Sequence, residues 1–213
     1  RRLEAHGLLP DGLETLVVAG GGVDLGHFAA VPLPSLADGL TFVMIAALDE
    51  AKGIREFSEA AAKVHARAPT ARFILVGPDG SGPGAVSRAA AAAAGPVEIV
   101  VDQADVRPWL GRAHVFVLPS HCEGMSRTLI EALALGRPVI ASNIPGCREA
   151  VDERVNGILV TPRDATALAD AMQSLLKRPD LLPAMARSSR LKAERRFDVR
   201  DVNRELFAVM GLA

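Results

Sequence analysis

Residues 119–131 read Pro119-Ser-His-Cys-Glu-Gly-Met-Ser-Arg-Thr-Leu-Ile-Glu131. The run before them, His114-Val-Phe-Val-Leu118, has the length and composition of a buried strand. The run after them, Leu129-Ile-Glu-Ala-Leu-Ala-Leu135, is built of strong helix formers and is closed by Gly136 and Pro138. The stretch is therefore a strand-to-helix turn with a carboxylate on each side. Glu123 belongs to the loop at the strand's carboxyl end and Glu131 to the helix, about two turns in. In an open α/β sheet that crevice is where ligands bind.

A helix advances about 100° per residue, so a helical count places Glu131 about a quarter turn from the direction of Glu123. Glu131 also stands among Leu129, Ile130, Ala132, Leu133 and Leu135. A carboxylate in so apolar a helix is costly unless something hydrogen-bonds it. Taken singly, Glu131 reads as a partly exposed residue of a core helix, and Glu123 as an acid placed near a helix N-terminus by the dipole. Taken together on one strand–Gly–helix turn, they point to a ligand site.

The bulk properties narrow the class. The chain has 213 residues, 49% of them apolar, with a mean hydropathy of +0.23, ample for a core and far from a disordered composition. A formal charge of −1 lacks the basic footprint of a nucleic-acid binder, so no nucleic-acid partner is expected. No apolar run approaches bilayer length. The opening Arg1-Arg-Leu-Glu4 has neither Met nor an apolar h-region, as expected of a piece of something longer. Cys122 and Cys147 make no disulfide framework, although both fall in loops near strand ends; reduced thiols in a cytoplasmic protein are expected. No two of the five histidines are spaced like a zinc site, and no metal is expected.

Working outward from the turn, a strand–helix alternation fills most of the chain. Strands are predicted at 41–47, 71–77, 97–101, 114–118, 137–142 and 157–160. Helices are predicted at 53–66, 85–94, 105–112, 125–135 and 164–176, the last with Asp164 as N-cap, then at 180–195 and 199–209. Strands alternating with helices of this length mean a parallel sheet with right-handed crossovers. The expected fold is a doubly wound, Rossmann-like α/β domain over 41–196 with a helical C-terminal tail. Residues 1–40 differ: a short strand candidate at Leu16–Ala19, three glycines from Gly20, and the Pro-rich Val31-Pro-Leu-Pro34 read as a hinge and connector.

Other residues near strand ends are candidate ligand groups. Lys52-Gly53 follows the first strand and opens a helix, where a lysine is either a phosphate partner or a solvated surface charge. The Gly77-Pro-Asp-Gly-Ser-Gly-Pro-Gly84 run looks like a phosphate cradle but lacks both the P-loop ending and the dinucleotide fingerprint, so it reads as a flexible loop touching a ligand from one side. The backbone N–H groups of Gly124, Met125 and Ser126 are expected to open the next helix and form an anion site beside Glu123. Arg127 either contacts a phosphate or faces water, and the reading here favours water. Pro145-Gly-Cys-Arg-Glu149 repeats the turn one strand later, with Glu149 as a cap. No Ser/His/Asp or Cys/His set stands out, so chemistry here would be positioning and charge stabilisation.

Along nearly the whole chain these segments resemble the retaining family-4 glycosyltransferases of GT-B fold. Glu123 and Glu131 match their Glu-x7-Glu signature. Gly22-Val-Asp24 with Phe28 is similar to their interdomain turn, and Lys52-Gly53 to their phosphate-binding lysine. Gly136-Arg-Pro-Val-Ile-Ala141 and Asn156-Gly-Ile-Leu-Val160 also fit. The subgroup making capsular polysaccharide and lipopolysaccharide O-antigen is the nearest resemblance. It implies the donor-binding C-terminal half of a metal-independent hexosyltransferase that needs no cofactor and takes a nucleotide-diphosphate sugar, UDP-sugar first, as co-substrate. An absent N-terminal domain would bind a glycan or lipid-linked acceptor and hold the protein at the inner face of the membrane.

The resemblance also implies residue roles. Glu131 takes the ribose hydroxyls, Glu123 stands beside the donor sugar, and Lys52 with the Gly124–Ser126 N–H groups holds the diphosphate. Gly77 lies alongside, and Val101 to Gln103 face the base. The helix at 197–213 is expected to cross back to the absent domain, and the chain alone to be inactive. Two departures stand out: Ala47 occupies the place of a family arginine, and Val101 that of a glycine. One lost charge-assisted phosphate contact costs roughly 1.5–3 kcal/mol. That departure motivates an alternative, a degenerate nucleotide-sugar-binding or scaffold domain without transferase activity. A nicotinamide-binding domain is disfavoured by the missing glycine fingerprint.

Overall fold

The computed structural model describes residues 20–93 and 95–212; the strand expected at 16–19 lies outside them. Six short runs of β-branched and apolar residues become β1 (Thr41–Ile45), β2 (Arg72–Val76), β3 (Val97–Val100), β4 (Val115–Leu118), β5 (Val139–Ser142) and β6 (Gly157–Val160). All pair in parallel, in the order β3-β2-β1-β4-β5-β6. Such strands are covered on both faces, which is why β1 and β4 are buried at every position rather than alternating. Successive side chains still part company. Phe42 and Met44 enter one core with Phe57, Phe73 and Leu75, while Val43 and Ile45 enter the other with Phe116, Leu129 and Leu133.

The helices are α1 (Ile54–His65), α2 (Arg88–Ala93), α3 (Arg107–Arg112), α4 (Arg127–Ala134), α5 (Pro145–Arg148), α6 (Ala165–Lys177), α7 (Leu182–Arg196) and α8 (Val199–Val209). α1 packs against α6 on one face of the sheet, and α4 packs against α7 on the other. The expected doubly wound fold with a helical tail is thus observed. Asp164 caps α6 as expected, accepting from the N–H groups of Thr166 and Ala167 at 2.9 Å each. The helix predicted from 125 begins only at Arg127, because Ser126 is still extended (φ −73°, ψ 124°). Two short 3-10 turns, Leu36–Asp38 and Glu50–Lys52, went unpredicted.

Residues 20–40 are fastened at both ends. Val23 donates to the Phe197 carbonyl at 2.7 Å and accepts from Val199 N–H at 3.0 Å, so the Gly-rich turn is stitched to the junction of α7 and α8. Gly22 has φ 68° there, and a Cβ on it would press the Val199 Cα at 2.6 Å. Further on, the fully buried Arg137 donates to the carbonyls of Ala113 (3.0 Å), Val31 (2.8 Å) and Pro32 (3.1 Å). Burial holds its guanidinium down at about 10, so it remains charged at neutral pH. The buried His114 accepts at Nδ1 from Thr41 N–H (2.9 Å), and its Nε2 lies 3.1 Å from the Ser35 carbonyl. The tautomer with hydrogen on Nε2 satisfies both contacts.

Candidate functional site

Chain direction across the sheet reverses between β1 and β4: β2 and β3 add outward from β1, β5 and β6 outward from β4. The crevice at the carboxyl ends of those two central strands is the switch point at which open α/β sheets bind ligands. The loop after β1 carries Lys52 on the 3-10 turn, and the loop after β4 carries Glu123.

Local sequence brings these loops together. Asp49 starts the 3-10 turn by accepting from Ala51 N–H at 2.8 Å. Gly53 ends it in the left-handed region (φ 79°), where a Cβ would also collide with the Pro119 carbonyl oxygen. His121 N–H donates to the Ala51 carbonyl at 2.8 Å, and His121 Nε2 stands 2.9 Å from Glu56 Oε1 on α1. Lys52 Nζ therefore meets Glu123 Oε1 at 2.7 Å, and Ser120 Oγ donates to the same oxygen at 3.0 Å. The Glu123 side chain is only 13% exposed, so this ion pair stands partly out of water. Ala47, Lys52, Glu123, Met125, Ser126, Arg127 and Thr128 line the resulting cleft, of about 260 Å³.

Glu131 lies half-buried on α4, and burial raises its carboxyl above the usual range, with Arg127 and then His27 pulling the other way. Among the described residues no donor hydrogen-bonds it. The helical count from Glu123 does not apply, because α4 starts four residues after Glu123. For the same reason Gly124 and Met125 precede the helix, and the N–H groups free at its start belong to the residues after them. Gly124 is exposed, with its carbonyl oxygen where a Cβ on Gly146 would fall; Met125 packs over Gly20.

The remaining candidates stand apart from the cleft. Gly77 is buried and donates to the Val100 carbonyl at 3.0 Å; a Cβ on it would collide with the Ala46 carbonyl oxygen, so this glycine lets neighbouring strand ends approach. Val101 and Gln103 follow β3, two strands from the switch point. The Gln103 amide is engaged locally, donating to the Val101 carbonyl at 3.0 Å and accepting from Trp109 Nε1 at 3.2 Å. Cys122 is exposed, and Cys147 is buried with its thiol pushed up to about 12 by burial and then by the Glu123 carboxylate. Among the described residues, no group of three or more His, Cys, Asp or Glu is arranged to hold a metal ion. Nor is any described helix long and apolar enough to cross a membrane. Sequence reasoning missed Ser120 and the Glu56–His121 pair, since neither carries a local spacing signal.

A family model described as "Glycosyl transferases group 1" matches residues 39–178, which include the whole sheet and both sides of this cleft. The chain belongs to that family. Among group 1 relatives, the putative colanic acid biosynthesis glycosyltransferase WcaL of Escherichia coli (strain K12) is 30% identical over 211 residues, 92% of this chain and 51% of the relative. The D-inositol 3-phosphate glycosyltransferase of Frankia alni is 34% identical over 155 residues, 67% of this chain and 38% of the relative. This chain thus spans about half the length, or less, of these curated relatives. The fold is shared with Anabaena Alr3699/HepE solved in complex with UDP (TM-score 0.77, 21% identity, 90% of this chain and 56% of that one). It is also shared with a glycosyltransferase from Rickettsia africae (TM-score 0.78, 21% identity, 97% and 60%).

Proposed function

We propose that this group 1 chain is the donor-binding half of a retaining hexosyltransferase that uses a UDP-sugar and no metal. The observation that carries the reading is the Lys52–Glu123 pair, closed at 2.7 Å across the switch point between β1 and β4. In this reading Lys52, with the N–H groups at the start of α4, supports the departing diphosphate. Glu123 stands beside the transferred sugar, and the half-buried Glu131 takes the ribose hydroxyls. The Val101–Gln103 turn is the base side of the site, with Gly77 behind it as a packing residue. Residues 1–40 are the connector and α8 the crossing to an acceptor domain for a glycan or lipid-linked substrate, which would bring the protein to the cytoplasmic membrane face. UDP in solved structural neighbours and the polysaccharide-synthesis name of one relative support this choice.

The second reading, a weak-binding or scaffold domain, is favoured by one observation: the uncharged Ala47 on the cleft wall. Calorimetric titration of the 213-residue chain with UDP separates the two. The expected result is binding that weakens about tenfold or more in Lys52→Ala and in Glu131→Ala. No heat of binding for the wild-type chain at millimolar UDP would refute the donor-site reading.

A further inference from the structure

We propose that Arg127 is a diphosphate-binding residue of this site, supplying from the start of α4 the cationic charge that Lys52 cannot deliver alone. The proposal rests on the donor-site reading above. It begins with a charge balance. The Lys52 ammonium is already matched by Glu123 at 2.7 Å, and Glu131 adds a carboxylate nearby. Those three groups leave one uncompensated negative charge, at a site meant to receive a ligand with an anionic oxygen on each of two phosphates. Like charges brought together in a partly dry cleft repel, so these groups alone would disfavour the ligand. Ala47, on the β1 side of the same cleft, contributes no charge.

Arg127 cancels that excess. It is the first residue of the eight-residue α4 and lines the cleft with Lys52 and Glu123. Among the described residues, its guanidinium makes no ion pair and no side-chain hydrogen bond. Glu131 stands one turn along the same face and feels its charge, yet the two do not close into a pair. Arginine before glutamate is also the weaker order for such a pair on a helix. The N-cap Ser126 leaves the helix end open too, since its Oγ lies 3.1 Å from Thr128 Oγ1 and caps no backbone N–H.

The order of groups fits the ligand's covalent order. Glu131 stands four residues further along α4 from Arg127, and the Lys52–Glu123 pair lines the cleft together with Arg127. A nucleotide sugar runs ribose, two phosphates, sugar. With the ribose on Glu131 and the sugar beside Glu123, the phosphates pass Arg127, whose planar fork matches phosphate oxygens.

The test is calorimetry of the 213-residue chain with UDP at several salt concentrations, for wild type, Arg127→Ala, Arg127→Lys, Lys52→Ala and Glu131→Ala. Arg127→Ala should weaken UDP binding about 10- to 100-fold and flatten its salt dependence, while Arg127→Lys restores part of both. Because Arg127 is exposed and unpaired, its melting temperature should stay at the wild-type value. Wild-type UDP affinity in Arg127→Ala, with Lys52→Ala and Glu131→Ala both weakened, would overturn the assignment and leave the donor site standing. Absence of UDP binding by the wild-type chain would overturn both.

Discussion

Replacing Arg137 with methionine is expected to destabilise the chain by about 3 kcal/mol, and the structure shows where that figure comes from. The guanidinium is fully buried and bonds three carbonyls, those of Val31, Pro32 and Ala113. A hydrogen bond from a charged group contributes about 1.5–3 kcal/mol. Against this stands desolvation, which holds the group down at about 10; relative to its ordinary value this corresponds to a cost of about 3 kcal/mol. Its Nε finds no partner, which adds to the cost. Three bonds outweigh that penalty, and methionine recovers the apolar contact but leaves three carbonyls without donors. For a chain of this length the loss lowers the midpoint of thermal unfolding by about 6–12 °C. Calorimetric or fluorescence melting of both proteins in one buffer measures it. An unchanged or raised melting temperature for Arg137→Met would refute the reasoning, showing that burying the charge costs more than its bonds return.

Two further outcomes follow from the same geometry. Burial depresses the His114 pKa, so the unfolded chain takes up a proton before the folded one. That share of stability is complete above the ordinary histidine value of about 6.5 and is lost as pH falls through the folded value. Urea unfolding from pH 7.5 to pH 5 should show the loss in wild type and a smaller one in His114→Asn; equal losses would contradict it. Gly146→Ala puts a Cβ onto the Gly124 carbonyl oxygen. It should cost about 1–3 kcal/mol and weaken UDP binding by displacing the Glu123 loop, whereas Gly111→Ala, with open space around it, should do neither. Full UDP affinity in Gly146→Ala would show that the loop position does not matter.

The strands and most helices were legible because their signals are local. A both-faces-buried strand is a short run of apolar residues, and an amphipathic helix repeats with the turn, as α1 does with Ile54, Phe57, Ala60, Ala61 and Val64. Asp164 was legible as a cap because capping lies within three residues. The start of α4 was misplaced by two residues, since Met125 and Ser126 are compatible with helix and only the packing of their loop keeps Ser126 extended. The packing role of Gly77 was not legible, because the Ala46 carbonyl oxygen that a Cβ on it would meet comes from the end of β1, 31 residues earlier in the chain.

From residue order alone follow the parallel α/β class, the two carboxylates around the strand–helix turn, and a lysine, Lys52, at the end of the first strand. Residue order does not say that the loop after β1 lies against the loop after β4. That depends on a strand order in which β4 inserts beside β1 rather than beside β3, which closes the Lys52–Glu123 pair. Nor does it distinguish Arg137, buried on the carbonyls of Val31, Pro32 and Ala113, from Arg127, open on the cleft. One opens α4 and the other follows its end, and their opposite environments are set by contacts with residues up to about a hundred positions away. Propensity and periodicity act over a few residues, whereas burial and charge pairing depend on which surfaces meet once the sheet has assembled.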